Sequence, residues 1–125
     1  MKPKDAKILI VATVGTEIPK QCTAPFLFAQ EAAGMGADVS ICFVAQGPVL
    51  LKQGVADKVY PKEGDRPLSD LIEETLKAGV KFQVCGAALD LNGMTPDDLI
   101  QDVEDLVGPS FLITRGLEVD LVLSF

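Results

Sequence analysis

A cysteine at the end of an apolar run is the residue of this chain best placed to do chemistry. Cys85 follows residues 80–84 (VKFQV) and precedes a Gly-Ala-Ala tripeptide, the pattern of a thiol at the carboxyl end of a strand just before a helix. Ligands bind at the carboxyl ends of the strands in α/β sheets, and a helix N-terminus stabilises a thiolate beside it. We therefore expect any catalysis to centre on Cys85.

The other two cysteines lie elsewhere in the predicted elements. Cys42 falls inside a predicted buried strand, where a free cysteine behaves as a small hydrophobic residue. Cys22 lies near the start of the first predicted helix, where the helix dipole could lower its pKa, so it is a candidate secondary thiol. An odd set of three cysteines with no CxxC pair and no secretion signal favours reduced thiols in the cytoplasm.

The chain contains no histidine, and this narrows the chemistry. Histidine is the commonest metal ligand and general base, so its absence argues against a zinc site, a Ser-His triad and a Cys-His nucleophile. Residues 13–16 hold one glycine where a dinucleotide-binding loop has three, and no GxxxxGK[ST] motif is present. We therefore predict no metal and no cofactor.

The charge balance is acidic, with 18 Asp and Glu against 11 Lys and Arg and a net charge of -7 at pH 7. That surplus repels a phosphate backbone, and no basic cluster offsets it. The acidic pairs at residues 73–74 and 97–98 lie on predicted helices, where a solvated face explains them better than a catalytic or metal site. The composition argues against nucleic acid as a partner.

Strand and helix patterns alternate along the chain. We predict strands at residues 6–14, 37–45, 57–60, 80–84 and 119–125, and helices at residues 22–35, 49–53, 68–78, 95–107 and 110–117. The first two strands are near-continuous aliphatic runs, as in parallel sheets that are covered on both faces. The sequence therefore predicts one domain, residues 1–125, built as a three-layer α/β/α sandwich around a mainly parallel sheet.

No membrane span is predicted. No stretch reaches the roughly 18 apolar residues that a span needs. The apolar run at residues 6–14 is short and is followed closely by Gly15 and Glu17, so we interpret it as a first strand rather than a signal peptide.

The segment around Cys85, GVKFQVCGAA at residues 79–88, resembles the signature region of the DsrE/DsrF-like sulfur-transfer family. The resemblance covers nearly all of the chain and includes the small-apolar first strand, PFLFA at residues 25–29, GADV at residues 36–39 and LVLSF at residues 121–125. It implies a parallel five-stranded sheet between helices, assembly into homotrimers or homohexamers, and a cysteine that carries sulfur as a persulfide or a related adduct.

Cys85 occupies the position of that sulfur-carrying cysteine. Some relatives carry a second cysteine several residues later, where this chain has Leu89, Asn92 and Gly93. The resemblance therefore supports a single carrier thiol in this segment rather than exchange between two cysteines.

Our leading hypothesis is a sulfurtransferase-like sulfur carrier, in which the Cys85 thiolate accepts sulfane sulfur from a donor protein or small thiol and passes it to an acceptor. Transfer at sulfur needs a thiolate, an accessible pocket and a good leaving thiol, but no dedicated base if the pKa of the attacking thiol is already lowered. The backbone N–H groups of Gly86 and Ala87 are expected to face the sulfur, and Gly86 to let a donor approach closely. The loop with Thr13 and Gly15 is expected along the same edge of the sheet.

Two other functions stay open from the sequence. A non-enzymatic oligomeric module could bind a small ligand, with Cys85 only lining the crevice. A peroxiredoxin-like thiol redox protein would need a resolving thiol, either Cys22 or a cysteine from another subunit.

Short apolar segments beside loops give separate support for an oligomer. They hold Leu50, Leu51, Val55, Phe111, Leu112 and Ile113. A small domain has difficulty covering every such group, although these residues could equally fill its own core.

Overall fold

The structure is a computed structural model that describes residues 2–125, and its centre is one sheet of five parallel strands. The strands are β1 (Lys7–Ala12), β2 (Asp38–Phe43), β3 (Lys81–Cys85), β4 (Val103–Val107) and β5 (Leu121–Ser124), in the order β4-β3-β2-β1-β5. The helices are α1 (Ala24–Gly34), α2 (Leu68–Lys77), α3 (Gly86–Leu91) and α4 (Pro109–Glu118). The predicted α/β sandwich around a parallel sheet is confirmed.

The main core lies between the sheet and helices α1 and α2. Alternate residues of the three central strands point into it, among them Ile10, Ile41 and Val84, all fully buried. Phe26 of α1 packs there between Phe43 and Phe82, and the three ring centroids lie 5.2–6.0 Å apart. Burial on both sides explains the near-continuous apolar runs of the central strands.

Helix α4 covers the opposite face of the sheet. The chain steps from β1 to β2 to β3 to β4 in one direction and then returns across the whole sheet to β5. Right-handed crossovers place a helix of the return connection on the other side from α1 and α2. Arg115 of α4 pairs with Asp38 at 4.0 Å, and Asp38 alternates with Ser40 and Cys42 on that side of β2. We call this side of the sheet the α4 face.

The loop after β2 packs closely against the end of β1. Gly47 begins a 3₁₀ turn, and a Cβ added there would collide with the carbonyl oxygen of Ala12. Only glycine lets the backbone approach so closely. The contact fixes the loops along the carboxyl edge of the sheet, where Cys85 also lies.

The prediction of a strand at residues 57–60 is wrong. This segment forms a 3₁₀ turn at Ala56–Lys58. The buried Val59 that follows uses its carbonyl to accept the N–H of Leu68, 2.7 Å away at the start of α2. Its backbone pairs with a helix start rather than with a sheet neighbour, so the apolar residue is buried without joining the sheet.

The predicted helix at residues 95–107 is also wrong, although its start has the expected local form. The Asp98 carboxylate accepts the N–H of Thr95 at 2.8 Å, but only a 3₁₀ turn follows, at Pro96–Asp98. The side-chain amide of Gln53 then donates to the carbonyls of Asp97 and Leu99, both at 3.0 Å. In a continuing helix those carbonyls would accept backbone N–H groups, but here they accept the Gln53 amide. The chain therefore extends and forms the edge strand β4.

Part of the apolar set considered for an interface lies in the chain's own core. Leu50 and Leu51 are fully buried, and Phe111 and Leu112 are half-buried. Ile113 on α4 is 67% exposed. Val55 is half-buried and packs against the core. The residue of that set most available to a second chain is therefore Ile113 on α4.

Across residues 2–125, none of the helices has the length and apolar character that crossing a membrane requires.

Candidate functional site

Cys85 lies where a strand ends and a helix begins, as the sequence predicts. It is the last residue of β3 and the N-cap of α3, with φ -71° and ψ 117°, and it is half-buried. Val107, the last residue of β4, is its neighbour across the sheet. Helix α4 begins at Pro109, so two helices start from this part of the carboxyl edge.

Gly86 and Ala87 form the first turn of α3, directly after the thiol. A Cβ added at Gly86 would meet only the carbonyl oxygen of Val107, at an ordinary contact distance of 3.8 Å. Packing within the chain therefore does not require glycine at this position. Glycine would be required at position 86 only if an incoming molecule must approach the backbone there.

Thr13 and Gly15 lie at the same edge, but both are engaged within the chain. The N–H and the hydroxyl of Thr13 donate to the carbonyl of Phe125 at 2.7 and 2.8 Å. Thr13 follows β1, two strands away from β3, which corresponds to about 10 Å. Gly15 is buried, and its carbonyl accepts the thiol of Cys22 at 3.1 Å. Their observed contacts hold the C-terminal strand and the first loop in place.

Cys22 is fully buried and follows a 3₁₀ turn at Pro19–Gln21. Burial raises the pKa of its thiol, and the nearby carboxylate of Glu17 raises it further. The expectation that a helix dipole lowers the pKa of Cys22 is therefore wrong. Helix α1 begins two residues later, at Ala24, but the direction of the pKa shift is the one that burial and Glu17 give.

Cys42 is fully buried on the α4 face, opposite Gln83 of β3. Burial raises the pKa of its thiol to about 11, and the neighbouring Cys85 contributes to that shift. Cys85 is the diagonal neighbour of Cys42, two residues beyond Gln83, so their Cα atoms are about 8 Å apart. Disulfides need a Cα separation below roughly 7 Å, so these two cysteines cannot join without backbone movement.

The α4 face beside Cys85 holds two polar residues that the sequence analysis did not select. Ser40 and Gln83 are both buried, and Ser40 Oγ and Gln83 Oε1 have no hydrogen-bond partner. A glutamine inside the apolar run KFQVC was the available signal, because buried strand positions seldom hold a carboxamide. Val107 was missed for a different reason, since β4 was predicted as a helix.

Asn92 anchors the helix that follows Cys85. Its side-chain amide donates to the carbonyls of Ala45 and Ala88 at 2.7 and 2.6 Å. Ala45 has a φ of 52°, in the left-handed region, and lies in the loop after β2. Asn92 therefore joins the C-terminal end of α3 to that loop and holds the helix against the sheet.

Two cavities lie away from the thiol. One of about 430 Å³ is bordered by α2 and includes Leu50, Lys77 and Ile100 in its lining. A second of about 390 Å³ lies between α1 and β5 and includes Phe28 and Leu121. Cys85 lines neither of them. Among residues 2–125, no three His, Cys, Asp or Glu side chains are grouped so that they could hold a metal ion.

The acidic pairs lie apart from the thiol, in ion pairs and a turn. Glu73 pairs with Lys77 at 3.1 Å, and Glu74 pairs with Arg66. Asp97 is exposed to solvent, as expected for a residue on a solvated face.

A sequence profile of one protein family matches almost the whole chain. It is the profile of the DsrE/DsrF-like family, and it matches residues 6–125. The chain belongs to the DsrE/DsrF-like family. Its five-stranded parallel sheet with helices on both sides agrees with the solved structures that it resembles.

Solved structures from three different organisms are similar to this DsrE/DsrF-like chain. The crystal structure of the ychN protein from E. coli superposes with a TM-score of 0.78 at 20% identity, over 96% of this chain and 99% of that one. MTH1491 from Methanobacterium thermoautotrophicum, a protein of unknown function, gives 0.64 at 17% identity over 95% and 97%. BT1422 from Bacteroides thetaiotaomicron, also of unknown function, gives 0.68 at 14% over 97% and 96%. At these identities the similarity shows the fold.

A similar curated sequence is the uncharacterized protein MJ0760 from Methanocaldococcus jannaschii, 29% identical over 110 residues. The aligned part is 85% of this chain but 38% of MJ0760. This DsrE/DsrF-like chain therefore spans well under half the length of that relative.

The raised pKa of Cys42 predicts a loss of stability at alkaline pH. The unfolded chain releases the Cys42 proton near the ordinary value of 9.0, whereas the folded chain keeps it until about 11. Between these values the unfolded state binds fewer protons, so the free energy of unfolding falls as pH rises. We expect Cys42 to account for a loss of about 1–2 kcal/mol over this range.

Urea unfolding of the wild type and of Cys42→Ala, at pH values on both sides of this range, measures that contribution. The variant is expected to be less stable at neutral pH because of the cavity it creates, but to lose less stability on the alkaline side. Cys22 and the lysines are common to both proteins and cancel in the comparison. Equal alkaline losses in the two proteins would show that Cys42 does not keep its proton on folding.

Proposed function

We propose that this protein is a cytoplasmic sulfur carrier that relays sulfane sulfur as a persulfide on Cys85. The DsrE/DsrF-like family is associated in general with sulfur relay. The observation that carries the proposal is the contrast among the three free thiols: Cys22 and Cys42 are fully buried, and Cys85 alone is partly exposed, at the carboxyl edge of the sheet. The proposal assigns the protein a sulfurtransferase activity.

The transfer balances without an external oxidant. The Cys85 thiolate attacks the outer sulfur of a donor persulfide, R–S–SH, and its electron pair forms the new S–S bond. The donor S–S bond breaks, and its electron pair leaves on the inner sulfur as R–S⁻. The hydrogen stays on the transferred sulfur, so the products are Cys85–S–SH and R–S⁻. An acceptor thiolate then attacks the outer sulfur in the same way and regenerates the Cys85 thiolate.

The surroundings of Cys85 suit this chemistry. Exchange at sulfur is an attack by a thiolate and needs no histidine base, and this chain has no histidine. In the proposal the backbone N–H groups of Gly86 and Ala87 face the bound sulfur, and the open space at Gly86 admits the donor. Thr13 and Gly15 act at a distance by holding the neighbouring loop.

Burial of the other thiols argues against a peroxiredoxin-like cycle within one chain. Such a cycle needs a resolving thiol that reaches Cys85. Cys22 donates its thiol to Gly15 inside the protein, and Cys42 lies too far away diagonally for a disulfide. A persulfide cycle uses Cys85 and an external thiol, which fits the accessibility of all three cysteines.

Loading the protein with sulfur tests the proposal directly. After brief incubation with polysulfide, intact-protein mass spectrometry is expected to show the mass of one added sulfur atom, which reductant removes. Cys85→Ser is expected to show none, whereas Cys22→Ser is a matched control that should load like the wild type because its thiol is buried.

An adduct that persists in Cys85→Ser would contradict the assignment of the carrier thiol. A wild type that takes up no sulfur would contradict the carrier function itself. That second result would instead favour the non-enzymatic binding module, in which Cys85 only lines a ligand crevice.

We also propose that the carrier is a homotrimer or homohexamer and that α4 lies at an interface between copies. Ile113 and Leu117 on α4 are 67% and 85% exposed. Apolar side chains exposed together on one helix are typical of surfaces that another chain covers. Helix α4 begins beside Cys85, and Ile113 and Leu117 lie about one and two turns further along it. Such an interface would therefore extend along α4 away from the thiol.

Light scattering measures the assembly. The wild type is expected at three or six times the chain mass of 13.3 kDa. Leu117→Lys is expected to lower the mass by placing a charge in the interface. Tyr60→Lys, the same charge at an exposed side chain in the loop before α2, is expected to leave the mass unchanged. A wild type at the mass of one chain would remove the oligomer from the proposal.

A further inference from the structure

Two buried polar side chains of the α4 face have no role in the mechanism so far. Ser40 is 5% exposed and Gln83 is 7% exposed, and neither Ser40 Oγ nor Gln83 Oε1 has a hydrogen-bond partner. Polar groups buried in proteins are nearly always paired, because an unpaired group has lost water and gained nothing in exchange. An atom left unpaired in this way marks a position where a water molecule or a ligand binds.

Of the two, Gln83 is the one beside the reactive thiol. It lies two residues before Cys85 in β3, so strand alternation places both side chains on the α4 face. Their Cα atoms are about 6.6 Å apart, and a glutamine side chain is long enough to bring its carboxamide to a sulfur attached to Cys85. Ser40 lies opposite Lys81, four residues before Cys85, at the other end of the strand.

The neighbours of Gln83 leave its oxygen available. Cys42 lies directly opposite on β2 and keeps its proton, but its sulfur makes no hydrogen bond to Gln83 Oε1. Asp105 lies opposite on β4 and is exposed. Asp105 makes no hydrogen bond to Gln83 Oε1 either.

We propose that the carboxamide of Gln83 binds the outer sulfur of the Cys85 persulfide, an inference that rests on the proposed function. In Cys85–S–SH the terminal S–H donates to Gln83 Oε1. When that proton has left, the amide turned by 180° offers an N–H to the terminal sulfur anion. Gln83 gains and loses no atoms, and the bonds that form and break are those of the transfer described above.

This arrangement gives the unpaired carboxamide oxygen beside the thiol a function. Loading supplies the missing hydrogen-bond partner, so the transferred sulfur is held more firmly than an unsupported persulfide. The ligand class is a small terminal sulfur that carries a proton or a negative charge.

The test compares two variants that each remove one unpaired buried polar atom from the same face. Gln83→Leu replaces the carboxamide beside Cys85, and Ser40→Ala removes the hydroxyl at the far end. All proteins are loaded with polysulfide, and intact-protein mass spectrometry follows the decay of the adduct. We expect a lifetime about tenfold shorter in Gln83→Leu, the effect of one lost hydrogen bond, and an unchanged lifetime in Ser40→Ala.

Urea unfolding separates this role from a structural one. Replacing an unpaired buried polar group with an apolar one is neutral or stabilising, so the unfolding midpoints of both variants are expected to equal or exceed that of the wild type. If Gln83→Leu fails to fold, Gln83→Met, with an unbranched side chain of similar length, takes its place with the same expectations.

The outcomes are distinguishable. Equal adduct lifetimes in the wild type and Gln83→Leu would overturn the inference and leave the carrier function intact. Equal shortening in Gln83→Leu and Ser40→Ala would overturn it too, because the effect would then be a general loosening of the face. Failure of both Gln83 variants to fold would assign the residue a structural role. A wild type that takes up no sulfur would remove the carrier function and this inference together.

Discussion

The site depends on the parallel pairing of β3 between β2 and β4. Phe82 and Val84 of β3 are fully buried in the core beneath α1 and α2, and their burial fixes which side of the strand faces α4. Strand alternation then leaves Gln83 and Cys85 on the α4 face, with the thiol at the last paired position. A shift of one residue in this pairing would turn the thiol toward the core and bring Phe82 onto the α4 face.

The two sides of the sheet do different work because they are packed differently. The side beneath α1 and α2 is closed by aliphatic and aromatic side chains, whereas the α4 face combines the buried Cys42 with the polar Ser40 and Gln83. Unpaired polar atoms in such a place lower stability, and of the two residues Gln83 is the one beside the thiol. The fold thus combines a tightly packed apolar side with a more polar side that carries Cys85 at its carboxyl edge.

Much of this arrangement is predictable from sequence because it depends on patterns within single elements. The aliphatic runs that became β1 and β2 and the change of pattern at Cys85 are local signals, and both were identified correctly. The errors arose where distant contacts decide the structure. The side-chain amide of Gln53 donates to the carbonyls of Asp97 and Leu99, and no local pattern around residue 97 reveals this contact. Burial in the folded chain raises the pKa of Cys22, and the residues next to Cys22 in the sequence do not show that burial.

The central claim is that Cys85 passes sulfur on as well as accepting it. The most direct measurement uses protein loaded with radiolabelled sulfane sulfur, separated from the donor and mixed with a small acceptor thiol in a single turnover. The account predicts that label leaves the protein at the same rate as labelled acceptor persulfide appears, with one sulfur atom transferred per loaded Cys85. Label that stays on the protein, or that is lost without appearing on the acceptor, would contradict it.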